Sequence, residues 1–225
     1  MSRSVLIPEP TTRERSHLRK AGSELLEVME MLQQQGRNVV TELQGKRPSM
    51  TQWQHYPDDD ATDPVSGYRW YYHAHPEASS RGEHGHFHVF AAASTGRGYT
   101  HLLGLSMSAS GLPFRAFTTN RWVTNEIYQP AARVLRLARR FVMRQPAQWA
   151  LVHRWLAATM TLFRPQIAWL LHERDRRLAA AQIRRATVFE DRRTHVLSQC
   201  QLDLQAQFKW LDAAGPLKIR HGAIR

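Results

Sequence analysis

Five of the twelve histidines fall within twenty residues, in the run YYHAHPEASSRGEHGHFHVF from Tyr71 to Phe90. They form two sets in which every second residue is histidine: His73 and His75, then His84, His86 and His88. Neutral imidazole is a common ligand for transition metals, and histidine titrates close to neutral pH. In an extended strand, residues i and i+2 project from one face, so each set lines a single face. A symmetrical hairpin closed by residues 76–83 sets His75 opposite His84 and His73 opposite His86, and directly opposed side chains project to the same side. The same argument over the 91–98 loop sets His101 opposite His88. Six histidines then share one face of the sheet, and a slip of one residue would scatter them. The other face carries Tyr68, Trp70, Tyr72, Phe87, Val89 and Leu102, an apolar layer for helices to cover.

Three histidines of one strand cannot all reach one ion. Residues i and i+2 lie roughly 7 Å apart, within the span of two rings, whereas i and i+4 lie about 13 Å apart. A mononuclear site needs two histidines from one strand and one or more from its neighbour, such as His84 and His86 with His73 or His75. Nitrogen ligands of this kind suit a divalent transition metal: zinc, iron, copper or nickel. His88 and His101 form a further pair that either holds a second ion or stays outside. Glu83 and Glu77 stand beside the cluster as a carboxylate ligand or a general base. Three protein ligands would leave an open position for hydrolytic or oxygen chemistry. The same imidazoles also suit an anion or substrate site, a hydrogen-bonded ladder, or a subunit contact that responds to pH. The other histidines, such as His55 and His153, are scattered and read as structural.

The elements that must position this cluster give an α+β expectation: a small antiparallel meander packed against N-terminal and C-terminal helices. Residues 11–44 read as helix, opened by a Thr11–Glu14 capping box and interrupted at Gly36. A polar, proline-punctuated connection follows, and its DDDATD run reads as a solvated turn because it lacks the spacing of a calcium loop. Alternation predicts about four strands, at 68–75, 84–91, 99–108 and 113–119, within a histidine-rich sheet region of residues 67–119. An Arg-rich helical region follows over 130–194, as helices 130–144, 146–163 and 165–194 with prolines at their starts. The stretch SQCQLDLQAQFKWLDAA fits helix or strand, and 216–225 reads as a tail. We expect one domain of 225 residues. In PFRAFTTNRWVTNE, the residues Arg115, Asn120 and Arg121 suit a substrate pocket beside the sheet, although Asn120 equally suits a helix cap.

The run HGHFHVF at 84–90 resembles the signature of the histidine-triad nucleotide hydrolases and transferases. The likeness implies His86 as a nucleophile toward a nucleotide phosphate, with its neighbours orienting it. It covers seven residues, and Gly85 stands where that pattern prefers a hydrophobic residue. A broader resemblance, carried by SGYRWYYHAHP, GEHGHFHVF, FTTNRWVTNE and LFRPQI, is to an uncharacterised bacterial family, a domain of unknown function. It implies a small cytoplasmic bacterial protein and carries no activity.

The formal charge is +12, with 27 Arg against 4 Lys. Residues 133–193 hold 14 Arg and four acids, a surface able to attract nucleic acid or an acidic partner. Arg174, Arg176, Arg177, Arg184 and Arg185 fall all around a helix, however, and nearby acids pair with some of them. Trp149, Trp155, Phe163 and Trp169 recur at helical spacing, as a core stripe or a homo-oligomer contact. Cys200 is the single cysteine, which excludes an internal disulfide or a cysteine-built zinc site. The N-terminus has no signal-like apolar run. The most apolar tract, Trp149–Leu171, is interrupted by His153, Arg154, Arg164 and Pro165, so no membrane span is expected.

Overall fold

Thr11 opens the first helix as its spacing predicts. Its hydroxyl accepts the Glu14 amide at 3.3 Å, and the Glu14 carboxylate accepts the Thr11 amide at 3.1 Å. Helix α1 (Thr12–Gln34) buries Leu18, Leu25, Val28 and Leu32 along one face. Gly36, at φ +68°, then turns the chain, and Asn38 caps a separate helix α2 (Val39–Gln44). The expected single helix is therefore two. The computed structural model describes residues 3–75, 82–93, 96–182 and 187–222.

The main sheet has six strands in chain order, each antiparallel to its neighbour: β2 (Tyr56–Asp63), β3 (Tyr68–Ala74), β4 (Gly85–Ala92), β5 (Tyr99–Met107), β6 (Pro113–Thr119) and β7 (Val196–Gln201). The four expected strands are β3 to β6. The two additions lie where side-chain pattern is weakest. Strand β2 contains the DDDATD run, corrected here from a solvated turn to an edge strand. It pairs through Tyr56 at one end and Ala61 to Asp63 at the other, with an irregularity between. Asp60 occupies that irregularity at φ +54°. Strand β7 comes from the ambiguous stretch and joins β6 only after the chain returns from its helices. A separate two-stranded sheet pairs β1 (Arg3–Ile7) with β8 (Leu217–His221). Ile7 and Ile219 are buried there, so part of the expected tail is a strand.

Between β6 and β7 run α3 (Arg121–Thr124), α4 (Ala131–Ala138), a 3-10 turn at Ala147–Trp149, α5 (Ala150–Leu162) and α6 (Arg164–Gln182), and α7 (Leu204–Asp212) follows β7. The expected helix over 165–194 overruns, because a 3-10 turn at Val188–Glu190 follows α6. Helices cover one face of the sheet. Trp155 stacks on Phe87 with centroids 5.8 Å apart, Trp149 meets Trp70 edge-on at 6.1 Å, and the Tyr68 hydroxyl donates to the Leu137 carbonyl. All six residues of the predicted apolar layer are buried. Trp155 and Phe163 are also buried in this core, and Trp149 and Trp169 pack against it. The helical tryptophans are thus used within the chain, and no bare Trp-rich surface is left for self-association among the described residues.

Candidate metal centre

The opposite face of β3, β4 and β5 gathers the histidines. In the β3–β4 pairing His73 lies opposite His86, and the His75 amide donates to the His84 carbonyl, which is the register a symmetrical hairpin predicts. Nitrogens of His73, His75 and His86 all lie within 4.8 Å of one another. The closest pair is His73 Nε2 and His86 Nε2, at 2.7 Å. His86 Nε2 also lies 2.9 Å from His88 Nε2. Ligands on tetrahedral zinc, at ~2.0–2.1 Å from the ion, stand about 3.3 Å apart, so small ring rotations would close the set on one ion.

Glu83 decides which nitrogen of His86 faces inward. Its Oε1 lies 2.8 Å from His86 Nδ1, and its Oε2 pairs with Arg115 at 2.6 Å. Burial raises the Glu83 pKa, but the His86 hydrogen bond and the Arg115 charge outweigh it and leave the carboxyl below its usual range. An ionised carboxylate only accepts, so His86 Nδ1 carries the proton and Nε2 presents its lone pair to the cluster. That single lone pair faces two neighbouring nitrogens, which suits a shared cation better than two hydrogen bonds. Arg115 is held in turn by the Ser106 hydroxyl and the Gln199 amide oxygen. Carboxylate–histidine pairs of this form orient metal ligands. Glu83 thus lies behind the His86 ring, placed to position it.

His88 repeats the pattern on the other side: its Nδ1 lies 3.0 Å from His101 Nε2, and His101 Nδ1 lies 3.2 Å from the Thr119 hydroxyl. His101 reaches this face through a correction to the expected register. It pairs with Phe90 rather than His88, because β4 runs two residues further than the expected loop allows, until Ala92 pairs with Tyr99, and the even shift keeps His101 on this face. The register then slips by one between Phe90 and Val89, leaving Leu102 unpaired and setting Leu103 opposite Val89. Burial keeps the rings neutral. It lowers His73 to about 2, with the charge of His86 adding, and His101 to about 3. His75, His86 and His88 are lowered for the same leading reason. His75 Nε2 is buried with no hydrogen-bond partner among the described residues.

Of the six predicted histidines, His84 departs from the cluster. It precedes β4, and its Nδ1 lies 2.8 Å from the hydroxyl of the core residue Tyr72. Gly85 makes this possible, since a Cβ there would overlap the His73 carbonyl and the Tyr72 hydroxyl. That explains its departure from the histidine-triad pattern. Gly104 has a similar role on β5: a Cβ would overlap the Phe117 ring, which packs edge-on against His86 at 4.9 Å.

The family described as "Domain of unknown function (DUF6969)" matches residues 19–202. The chain belongs to this family. No curated protein and no solved structure matches the chain. Membership of DUF6969 agrees with the resemblance to an uncharacterised family and brings no activity with it.

In this DUF6969 chain the polar connection supplies two residues absent from the sequence-based site. Trp53 packs on His75 at 4.9 Å and His73 at 5.7 Å while remaining 60% exposed, and its φ is +66°. His55 stacks on Tyr71 at 3.8 Å and pairs with Asp60. The signal was the survival of Trp53, His55 and Tyr56 within a polar loop. The expected substrate-binding residues are engaged with protein partners. Arg115 serves Glu83, while Asn120 is buried, caps α3 and donates to the Val188 carbonyl. Arg121 pairs with Glu190. Glu77, Arg184 and Arg185 lie outside the described residues. Three arginines of α6 are engaged. Arg174 is 1% exposed and binds Asp175 and the Gln129 carbonyl, while Arg176 and Arg177 both bind Glu173. No helix among the described residues is long and apolar enough to cross a membrane.

Proposed function

We propose that His73, His75 and His86 hold one divalent transition-metal ion, with Glu83 orienting His86 and Arg115 fixing Glu83. The observation that carries this reading is the convergence of three buried or half-buried imidazole nitrogens, one of which, on His75, has no hydrogen-bond partner among the described residues. A buried polar atom without a partner costs roughly 1–3 kcal/mol, and a cation bound by all three removes that cost at His75. His88, backed by His101, stands 2.9 Å from His86 Nε2 and supports the ligand set from beside it. Three protein ligands leave a coordination position for water or substrate, the arrangement of catalytic rather than structural metal sites. We read the protein as a metal-dependent enzyme of hydrolytic or oxygen chemistry, with the Trp53 ring beside its ligands.

Elemental analysis of untagged protein tests the ligand assignment. About one equivalent of metal per chain is expected, and it should be lost in the His73→Ala, His86→Ala double variant. Thermal unfolding of stripped protein in the presence of added zinc, nickel, copper or iron guards against loss during purification. A wild-type protein that carries no metal and is stabilised by none of these ions would refute the reading.

A further inference from the structure

A cavity of about 350 Å³ lies away from the histidine cluster where β1, the start of α1 and the start of α6 meet. Small-molecule pockets span about 300–1,000 Å³. Ile7, Leu18 and Trp210 form its buried floor, and Pro165 and Trp169 form a wall. Arg139 and Arg164 line both this cavity and a smaller recess beside it. Neither guanidinium makes a hydrogen bond or close ion pair with any described residue.

The acids at this cavity are already engaged. Glu9 pairs with Arg15 at 2.7 Å and accepts the Gly215 amide. Glu14 is held by the hydroxyl and amide of Thr11. Burial, and then the charge of Arg139, lower the Arg164 pKa, as expected for two neighbouring cations that are not neutralised. Glu14 is close enough to feel both guanidiniums, so the local charge is near +1, which matches a monoanion. Guanidinium forks match carboxylate geometry, and an apolar floor with two indoles suits an apolar body.

We propose that this cavity binds a small monocarboxylate with an aromatic or aliphatic body, its carboxylate between Arg139 and Arg164 and its apolar part against Trp169 and Trp210. The test is titration of the full chain with 2-naphthoate, followed by tryptophan fluorescence, with neutral 2-naphthamide as the comparison. Saturable binding of naphthoate is expected, at least tenfold weaker for the amide and in Arg164→Gln. Arg139→Gln, at an exposed position, should weaken binding at least threefold and serves if Arg164→Gln does not fold. Ala168→Trp, which fills the cavity and leaves both arginines, should abolish binding. His86→Ala should leave it unchanged, so failure of the metal reading would not affect the result. Equal affinity for acid and amide, binding indifferent to both arginine variants, binding lost in His86→Ala, or no saturable binding would each overturn the proposal.

Discussion

The two faces of the six-stranded sheet are built from alternating residues of the same strands, and both are buried, yet they are stabilised in different ways. On one face Trp70, Tyr72, Phe87 and Val89 lie against helices in a continuous apolar cluster. On the other, His73, His86, His88 and His101 lie mainly against one another, with Tyr71, Phe90 and Phe117 filling between. Burying apolar surface stabilises the fold directly, at ~25 cal/mol per Å². Burying imidazoles does so only if each nitrogen finds a partner. On this face Glu83, held by Arg115, and Thr119 satisfy outward nitrogens of His86 and His101 while inward ones point at each other. A layer selected for stability alone would resemble the first face, so the second is organised around its shared interior point.

The largest effect should come from breaking the apolar face. Trp70 is fully buried between Phe87, Trp149 and His153. Trp70→Ala should cost about 3–5 kcal/mol of unfolding free energy, read by urea titration of metal-free protein. His86→Ala under the same conditions should cost less. If the order reverses, the histidine face carries the fold and the proposed division of labour is wrong. Next comes Glu83→Gln, which retains an acceptor for His86 Nδ1 but loses the charge that holds Arg115. Chelator competition should show metal affinity about 10–100-fold weaker with the unfolding midpoint of the stripped protein little changed. Unaltered affinity would remove Glu83 from any positioning role.

Much of this face was legible in advance, and the misses have local causes. The β3–β4 register followed from hairpin symmetry and the alternation of HAH and HGHFH, because a period of two admits few registers once one face is apolar. His101 was placed on the correct face by the wrong pairing, since β4 pairs two residues further than the assumed 91–98 loop, a shift that preserves the face; the bulge at Leu102 has no signature among its apolar neighbours. His84 was misplaced because alternation alone does not locate a strand's end, and β4 begins one residue later. Strand β2 was unreadable from composition. Asp63 is recruited by tertiary contacts: burial raises its pKa, and the amides of Arg144, Ser66 and Val65 outweigh that and take it to about 2. Trp53 and His55 reach the cluster through a parallel bridge between Gln52 and Ala74, a non-local pairing that no periodicity announces.

Acid should show whether burial holds the histidine face neutral. Burial holds His73 at about 2 and His101 at about 3 in the folded chain, whereas a histidine in an unfolded chain titrates near 6.5. Below that value the unfolded state binds protons that the folded state refuses. Their contribution is therefore complete above about pH 6.5 and is lost as pH falls toward the folded values. Between pH 7 and pH 5 the stripped protein should lose about 2–4 kcal/mol from these two groups together, measured by urea unfolding in chelator. Added metal should raise stability by a similar amount at both pH values, because the folded rings are already neutral and release no protons on binding the ion. A stripped protein equally stable at both pH values would mean that these rings are not held neutral by burial.

The smallest effect concerns a histidine buried on the apolar side. His153 sits on α5 against Trp70, and neither of its ring nitrogens has a partner among the described residues. Burial lowers its pKa to about 4, partly opposed by Asp63. It shares burial and neutrality with His86 but lacks a neighbouring imidazole and an orienting carboxylate, so burial alone should confer no metal affinity. His153→Leu removes two unsatisfied polar atoms at nearly constant volume and should raise stability by about 1 kcal/mol at pH 7. The advantage should widen as pH falls from 6.5 toward 4, because the wild-type unfolded state gains a proton there and the variant has none to gain. Metal content should stay the same. A drop in metal content in His153→Leu would mean that the two faces communicate through the strands between them, and that the imidazole cluster depends on more than its own face.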